Sequence, residues 1–182
     1  METAQDGAGV RFPPPLIYII ALVIGVYSGR ALNLPHLGLS HAVRDILTGG
    51  FLIAGVIVMF AGAGLLRSRK TNIIPFKPAT CLVDTGIYGI TRNPMYLGMA
   101  LTYVALAILF DSLGALVLLP AVIAIMQTQV IAREEAYLER AFGRDYLAYK
   151  GRVRRWIRGA TITYGLGRRC RRTSSPCRSR SR

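Results

Sequence analysis

The chain has 182 residues, 52% of them hydrophobic, and a formal net charge of +14. That length suits one domain. The mean hydropathy of +0.39 and the confinement of charge to the gaps between apolar blocks and to the C-terminus argue against a soluble globular fold and for a polytopic membrane protein. From Lys150 to Arg182 there are twelve basic residues and no acidic one. Beside apolar spans, such a run marks the cytoplasmic side and touches anionic lipid; nucleic-acid binding is the less favoured reading. Cys81, Cys170 and Cys177 have no metal-binding spacing, so neither a zinc site nor a disulfide framework follows. Cys81 reads as a small apolar filler.

In chain order, the N-terminus carries Glu2 and Asp6 with one early arginine, Arg11, which makes a poor signal peptide. The first apolar run, Leu16 to Leu34, therefore reads as a retained span in which Arg30 reaches to the interface. Ile46 to Leu66 is 21 residues without a charge and is the clearest spanning helix. Its glycines and alanines read as close-packing positions. Arg67 to Arg92 is a polar, proline-bearing loop. Met95 to Phe110 and Leu113 to Ala132 are two further apolar runs, joined by Asp111-Ser112 as a tight helical hairpin. Pro120 is a candidate kink in the last of these.

The reading is all-α, with about four transmembrane helices, the last two a hairpin. The basic loop with Arg67, Arg69, Lys70, Lys77 and Arg92 and the basic tail both belong inside, which places both termini in the cytoplasm. His36 and His41 fall in the opposite connection and receive no role. From Arg133 the chain becomes an amphipathic C-terminal helix, with Leu138, Ala141 and Phe142 at three- and four-residue spacing. Gly143 offers a stop. A short helix resumes at Asp145. Tyr146, Tyr149 and Trp156 read as interface aromatics. Residues 159–182 are a basic Arg/Ser-rich tail expected to be disordered. The domain is 1–158, with its cofactor-binding half at 67–158.

Two polar clusters break the apolar pattern. In Gly86-Ile87-Tyr88-Gly89-Ile90-Thr91-Arg92-Asn93-Pro94-Met95-Tyr96-Leu97-Gly98, an arginine and an asparagine precede a proline at the mouth of a span. Proline suits the first turn of a helix, because its missing N–H would be unpaired there. Glu134-Glu135 stand at the end of the last apolar run, and Phe142-Gly143-Arg144-Asp145-Tyr146 and Tyr149 follow. Alone, Arg92 reads first as a topological anchor, and one glutamate of an adjacent helical pair faces about 100° away from the other.

Taken together and in this order, from Leu82-Val83-Asp84 onward, the motifs resemble the isoprenylcysteine carboxyl methyltransferase and phospholipid methyltransferase superfamily of integral membrane enzymes, over roughly residues 46–157. The resemblance implies an S-adenosylmethionine (AdoMet) site at the cytoplasmic helix ends, closed over by the C-terminal segment. It assigns Val83, Gly86, Ile87, Tyr88, Asn93, Pro94, Tyr96, Leu97, Glu134 and Glu135 to that site. Asn93 stands where many members carry histidine, and Ile87 where proline is common.

Elementary chemistry gives these residues work. A carboxylate binds the ammonium or ribose hydroxyls of AdoMet by charge-assisted bonds, and Tyr88 and Tyr96 flank adenine or sulfonium. A carboxylate methyl acceptor needs a cation to hold it, for which Arg92 is the candidate. An amine acceptor needs a base, for which Glu134 or Glu135 is the candidate. Arg92 and Glu135 are the catalytic candidates. The expected function is AdoMet-dependent methylation of a lipid-like or prenylated acceptor, with a carboxylate favoured. A phospholipid amine, a fatty acid and a small hydrophobic xenobiotic stay open as acceptors. An NADPH-dependent sterol-type reductase, with Arg144 or Arg154 on the 2′-phosphate, is the alternative enzyme class. No metal and no nucleic-acid partner are expected.

Overall fold

A computed structural model describes residues 13–69 and 81–156. The readings made for residues 159–182, for Lys70, Lys77, Cys170 and Cys177, and for the extreme N-terminus lie outside the described residues.

Every regular element in the described residues is helical. Helix α1 (Pro14–Ala31) starts with proline in its first turn. Helix α2 (His41–Ser68) is capped by Ser40, whose Oγ accepts from the Val43 N–H at 3.4 Å. A 3₁₀ turn at Gly86–Gly89 leads to α3 (Pro94–Leu109). Helix α4 (Leu113–Ile125) continues through π-helical turns at Met126–Ile131 into α5 (Ala132–Phe142), and Gly143 at φ +51° separates α5 from α6 (Arg144–Arg152). Only glycine takes that φ at no steric cost.

Among the described residues, three helical stretches are long and apolar enough to cross a membrane: α1, α2 and the continuous Leu113–Phe142. Helix α3 is shorter, at 16 residues, or about 24 Å of rise. The expected hairpin between the last two apolar runs is present, turned by Asp111 at φ +51°. Ser112 caps α4 by accepting from the Ala115 N–H at 3.2 Å. Pro120 lies within regular α-helix, and the distortion falls six residues later instead, at Met126–Ile131.

Small residues set the crossings. A Cβ on Gly98 would lie 2.7 Å from the Gly55 carbonyl oxygen, and one on Gly55 would lie 2.8 Å from that of Gly98. Helices α2 and α3 therefore touch backbone to backbone, as small residues permit in membranes. Gly25 of α1 meets Ala115 of α4 in the same way. The main core joins Tyr18, Tyr96, Tyr103, Val122, Met126 and Ile131. Tyr18 and Tyr103 meet edge to face, with centroids 6.1 Å apart. Outward faces of α1 and α2 expose Ile19, Ile24, Ile53, Ile57 and Phe60, as hydrocarbon contact requires.

Three sequence expectations are corrected here. Tyr146 and Tyr149 are not interface aromatics: they are 1% and 3% exposed and form a second small core with Val153. Tyr149 spends its hydroxyl on the Tyr88 carbonyl at 2.8 Å. His36 has a structural role: its Nδ1 lies 2.9 Å from Asp111 Oδ2, while Asp111 Oδ1 accepts from the Leu37 N–H at 2.9 Å. This ties the α1–α2 connection to the hairpin turn. Cys81 is buried, but as a disulfide-bonded residue rather than a simple filler.

Candidate active site

The loop before α3 is held from two sides. Thr91 Oγ1 accepts from the Asn93 N–H and donates to the Arg155 carbonyl, both at 3.2 Å. Asn93 Nδ2 donates to the same carbonyl at 3.0 Å, and the Arg92 N–H donates to the Arg154 carbonyl at 3.1 Å. Asn93 occupies the N-cap position of α3 without capping it; its amide is committed to the segment after α6 instead. Farther back, Arg152 reaches Asp84 Oδ2 at 2.8 Å. The chain following α6 thus lies along Thr91-Arg92-Asn93 as a strap.

This clamp presents Arg92 to the end of the last long helix. Arg92 Nη2 lies 3.1 Å from Glu135 Oε1. Arg155 grips the same carboxylate with Nε to Oε1 at 3.0 Å and Nη2 to Oε2 at 2.6 Å, a two-pronged pair. Glu135 is 6% exposed. Burying it is tolerable because two guanidiniums offset the lost hydration. The Glu135 bond holds the Arg155 guanidinium above its ordinary pKa, against a smaller opposing effect of burial.

Glu134 is placed differently. The Tyr96 hydroxyl donates to its Oε1 at 2.8 Å, and no salt bridge between Glu134 and a cation is found among the described residues. The nearby Tyr88 hydroxyl is raised above its usual range by burial and by the negative field of Glu134, so it stays protonated. The Tyr149 hydroxyl, at the base of the loop, is raised chiefly by burial.

The π-helical turns lie directly before the glutamate pair. Val122, Met126, Ile131 and Glu135 are all buried, in steps of four, five and four. The five-residue step is that of a π turn. Four-residue steps from Met126 reach Val130, which is also buried, and Glu134, so both series start from the core face. Thr128 helps the wide turn by donating to the Ala124 carbonyl at 2.9 Å.

Other sequence candidates fall around this cluster. Val83 is buried, and Gly86 takes φ +59° at the start of the 3₁₀ turn. Ile87, Tyr88 and Leu97 are half-buried. Pro94 is buried toward α2, 3.0 Å from where a Cβ on Gly62 would sit, so it packs a crossing. Arg144 and Arg154 are exposed. Among the described residues no group of three or more His, Cys, Asp or Glu side chains stands together.

Sequence reasoning missed Thr91 and Arg155. Thr91 had a usable signal, a hydroxyl two residues before an N-cap position. Arg155 had none, because it sits in a run of basic residues that reads as lipid-facing charge. A cavity of about 400 Å³ lies elsewhere, around Arg30, Asn33, His36 and Asp111 at the hairpin-turn end, and includes none of the cluster's residues.

The fit of AdoMet can be judged on the donor set. Glu134 meets only a neutral phenol among the described residues, so a cationic partner matches it. Gly86 keeps the loop open, and Tyr88 and Tyr96 border the carboxylate. These residues suit a sulfonium donor bearing an ammonium group.

A family model for phospholipid methyltransferases matches residues 43–145. The chain belongs to the phospholipid methyltransferase family. The family lies within the superfamily of integral membrane methyltransferases, and the apolar helices agree with it. The matched span runs from the start of α2 into α6 and contains Arg92, Glu134 and Glu135, but not Arg155. The chain is also 45% identical over 64 residues to an uncharacterized protein of Haemophilus influenzae, a match covering 35% of this chain and all of that protein. No solved structure matches.

Proposed function

We propose that this family member transfers a methyl group from AdoMet to a lipophilic acceptor at the membrane edge. One observation supports the reading above the rest: a loop and two helices bring together two adjacent pairs, Arg92 with Glu135 at 3.1 Å and Tyr96 with the neighbouring Glu134 at 2.8 Å. AdoMet supplies an electrophilic methyl on its sulfonium. The protein's part is to align the acceptor and exclude water. Glu134 binds the cofactor's cationic portion, with Tyr88 and Tyr96 beside it. Glu135 holds Arg92 in place. The strap over Thr91-Arg92-Asn93 shields the cluster.

The finer reading is O-methylation of a carboxylate of the isoprenylcysteine type, which needs a fixed cation and no base. Arg92 fits that need. A second reading, N-methylation of a phospholipid amine, is favoured by the family's description and by Glu134, which has the placement of a base. In both, the acceptor enters sideways from the bilayer and the cofactor from the cytoplasm. Four spans with both termini inside are part of the proposal.

Calorimetric titration of the detergent-purified protein with AdoMet tests it. Wild type should bind, Glu134→Gln should bind at least about tenfold more weakly, a loss of one charge-assisted contact, and NADPH should not compete. A folded wild type that takes up no AdoMet, or NADPH binding in its stead, refutes the assignment.

A further inference from the structure

The cavity of about 400 Å³ at the hairpin-turn end stands apart from the methyltransferase reading, since none of the cluster's residues line it. Its size falls within that of small-molecule sites, roughly 300–1,000 Å³. The floor is fixed by a close crossing. A Cβ on Gly29 would lie 3.3 Å from the Gly114 Cα, and the Ser112 hydroxyl donates to the Gly25 carbonyl at 3.4 Å. Val26, Phe110 and Leu113 supply apolar walls. The α1–α2 connection forms a further side, held by the contacts of Asp111 to His36 and to the Leu37 N–H.

Side chains set the sign of this cavity. Helix α1 ends at it and α4 begins there, so the negative end of one dipole meets the positive end of the other and they offset. Both oxygens of Asp111 are engaged, and Arg44 further counters its charge. Arg30 differs. Among the described residues its side chain has no hydrogen bond and no ion pair. A guanidinium free at the edge of a cavity presents a planar fork of donors to an incoming oxyanion.

The surroundings favour a particular oxyanion. Helix α1 and the continuous Leu113–Phe142 are both long and apolar enough to cross a membrane. A cavity where one ends and the other starts opens at the level of the lipid head groups. Beside it Tyr27, Leu32 and Phe110 are 67%, 71% and 47% exposed, an apolar margin suited to acyl chains. We propose that this cavity binds the phosphate of a bilayer phospholipid through Arg30, with the chains leaving over that margin. Such a lipid joins α1 to the α3–α4 turn.

The experiment applies native mass spectrometry to the full chain, stripped of lipid by detergent washing, with three probes. These are dioleoylphosphatidylglycerol, dioleoylglycerol (the same chains without phosphate) and glycerol 3-phosphate, the head alone. The phospholipid should bind as a single retained adduct, about tenfold more tightly than dioleoylglycerol, and glycerol 3-phosphate should bind far more weakly. Arg30→Gln should bring the two lipids to equal affinity, and Arg30→Lys should recover part of the difference. Arg67→Gln, at the opposite end of α2, should keep all of it. Equal retention of both lipids by wild type overturns the site, and no variant is needed to show it. Glycerol 3-phosphate binding as tightly as the phospholipid means a site for free phosphate and overturns the lipid assignment. A loss in Arg67→Gln as large as in Arg30→Gln means general charge attraction and overturns the cavity as its seat.

Discussion

Two neighbouring glutamates do different work because their partners differ. Glu135 is gripped by Arg92 and Arg155, while Glu134 accepts from a phenol. Replacing Glu135 with glutamine leaves two guanidiniums facing a neutral amide, one of them deeply buried. We expect a loss of about 3 kcal/mol in unfolding free energy, the low end for a broken buried pair because Arg155 is one-third exposed. Glu134→Gln should cost less than about 1 kcal/mol of stability and fall mainly on cofactor affinity. Denaturation in detergent with parallel calorimetry separates the two, and equal stability losses would contradict the division of labour. At this scale the sequence was half informative. Arg92 and the glutamate pair stood out because charge beside apolar runs is costly and therefore conspicuous. Arg155 did not, since one arginine among many carries no mark of its partner.

At the scale of elements, the π-helical turns at Met126–Ile131 lie just before Glu135, which is buried. Deleting Thr128 should restore α-helical geometry and turn the glutamates by about 100°. Helix content by circular dichroism should persist while cofactor binding is lost; retained binding would show that the wide turn is incidental. The sequence offered Pro120 as the irregular point, because proline is the residue that removes a helical N–H. A π turn has no comparable residue signature, and so it was illegible. Hairpin and helix order were readable, because Asp111-Ser112, Gly143 and Pro94 punctuate the apolar pattern. The α2–α3 crossing gives another expectation. Gly98→Val must push α3 off the Gly55 carbonyl and should destabilise by about 1–3 kcal/mol, as overpacking does, detectable as a lowered melting temperature in micelles.

Across the whole molecule, the charged cluster sits at one end of the helices and the His36–Asp111 contact at the other. The Leu37 N–H, foremost, and His36 hold the Asp111 carboxyl below its ordinary pKa of 3.8. A depressed pKa contributes stability above the unfolded value, and that contribution is lost as pH falls through the folded one. Asp111→Asn keeps the positive φ, which asparagine tolerates. It should therefore be less stable than wild type near about pH 7, and the difference should shrink as the pH falls below the ordinary carboxyl value of 3.8. A difference that persists in acid would mean that charge is not what ties the turn. The composition announced a membrane protein with no help from fold. It did not announce that the strap beyond α6 completes the site, because a backbone carbonyl such as that of Arg155 has no sequence signal.

The most direct measurement is transfer of labelled methyl from AdoMet to membrane lipid by wild type, Arg92→Lys and Glu134→Gln, with folding of each verified. Label should appear in an organic-soluble product with wild type and fall by about a hundredfold or more in both variants, as expected when one preorganised charged contact is removed. Undiminished transfer by folded Arg92→Lys and Glu134→Gln, or no transfer by folded wild type across carboxylate and amine lipids, would contradict the account.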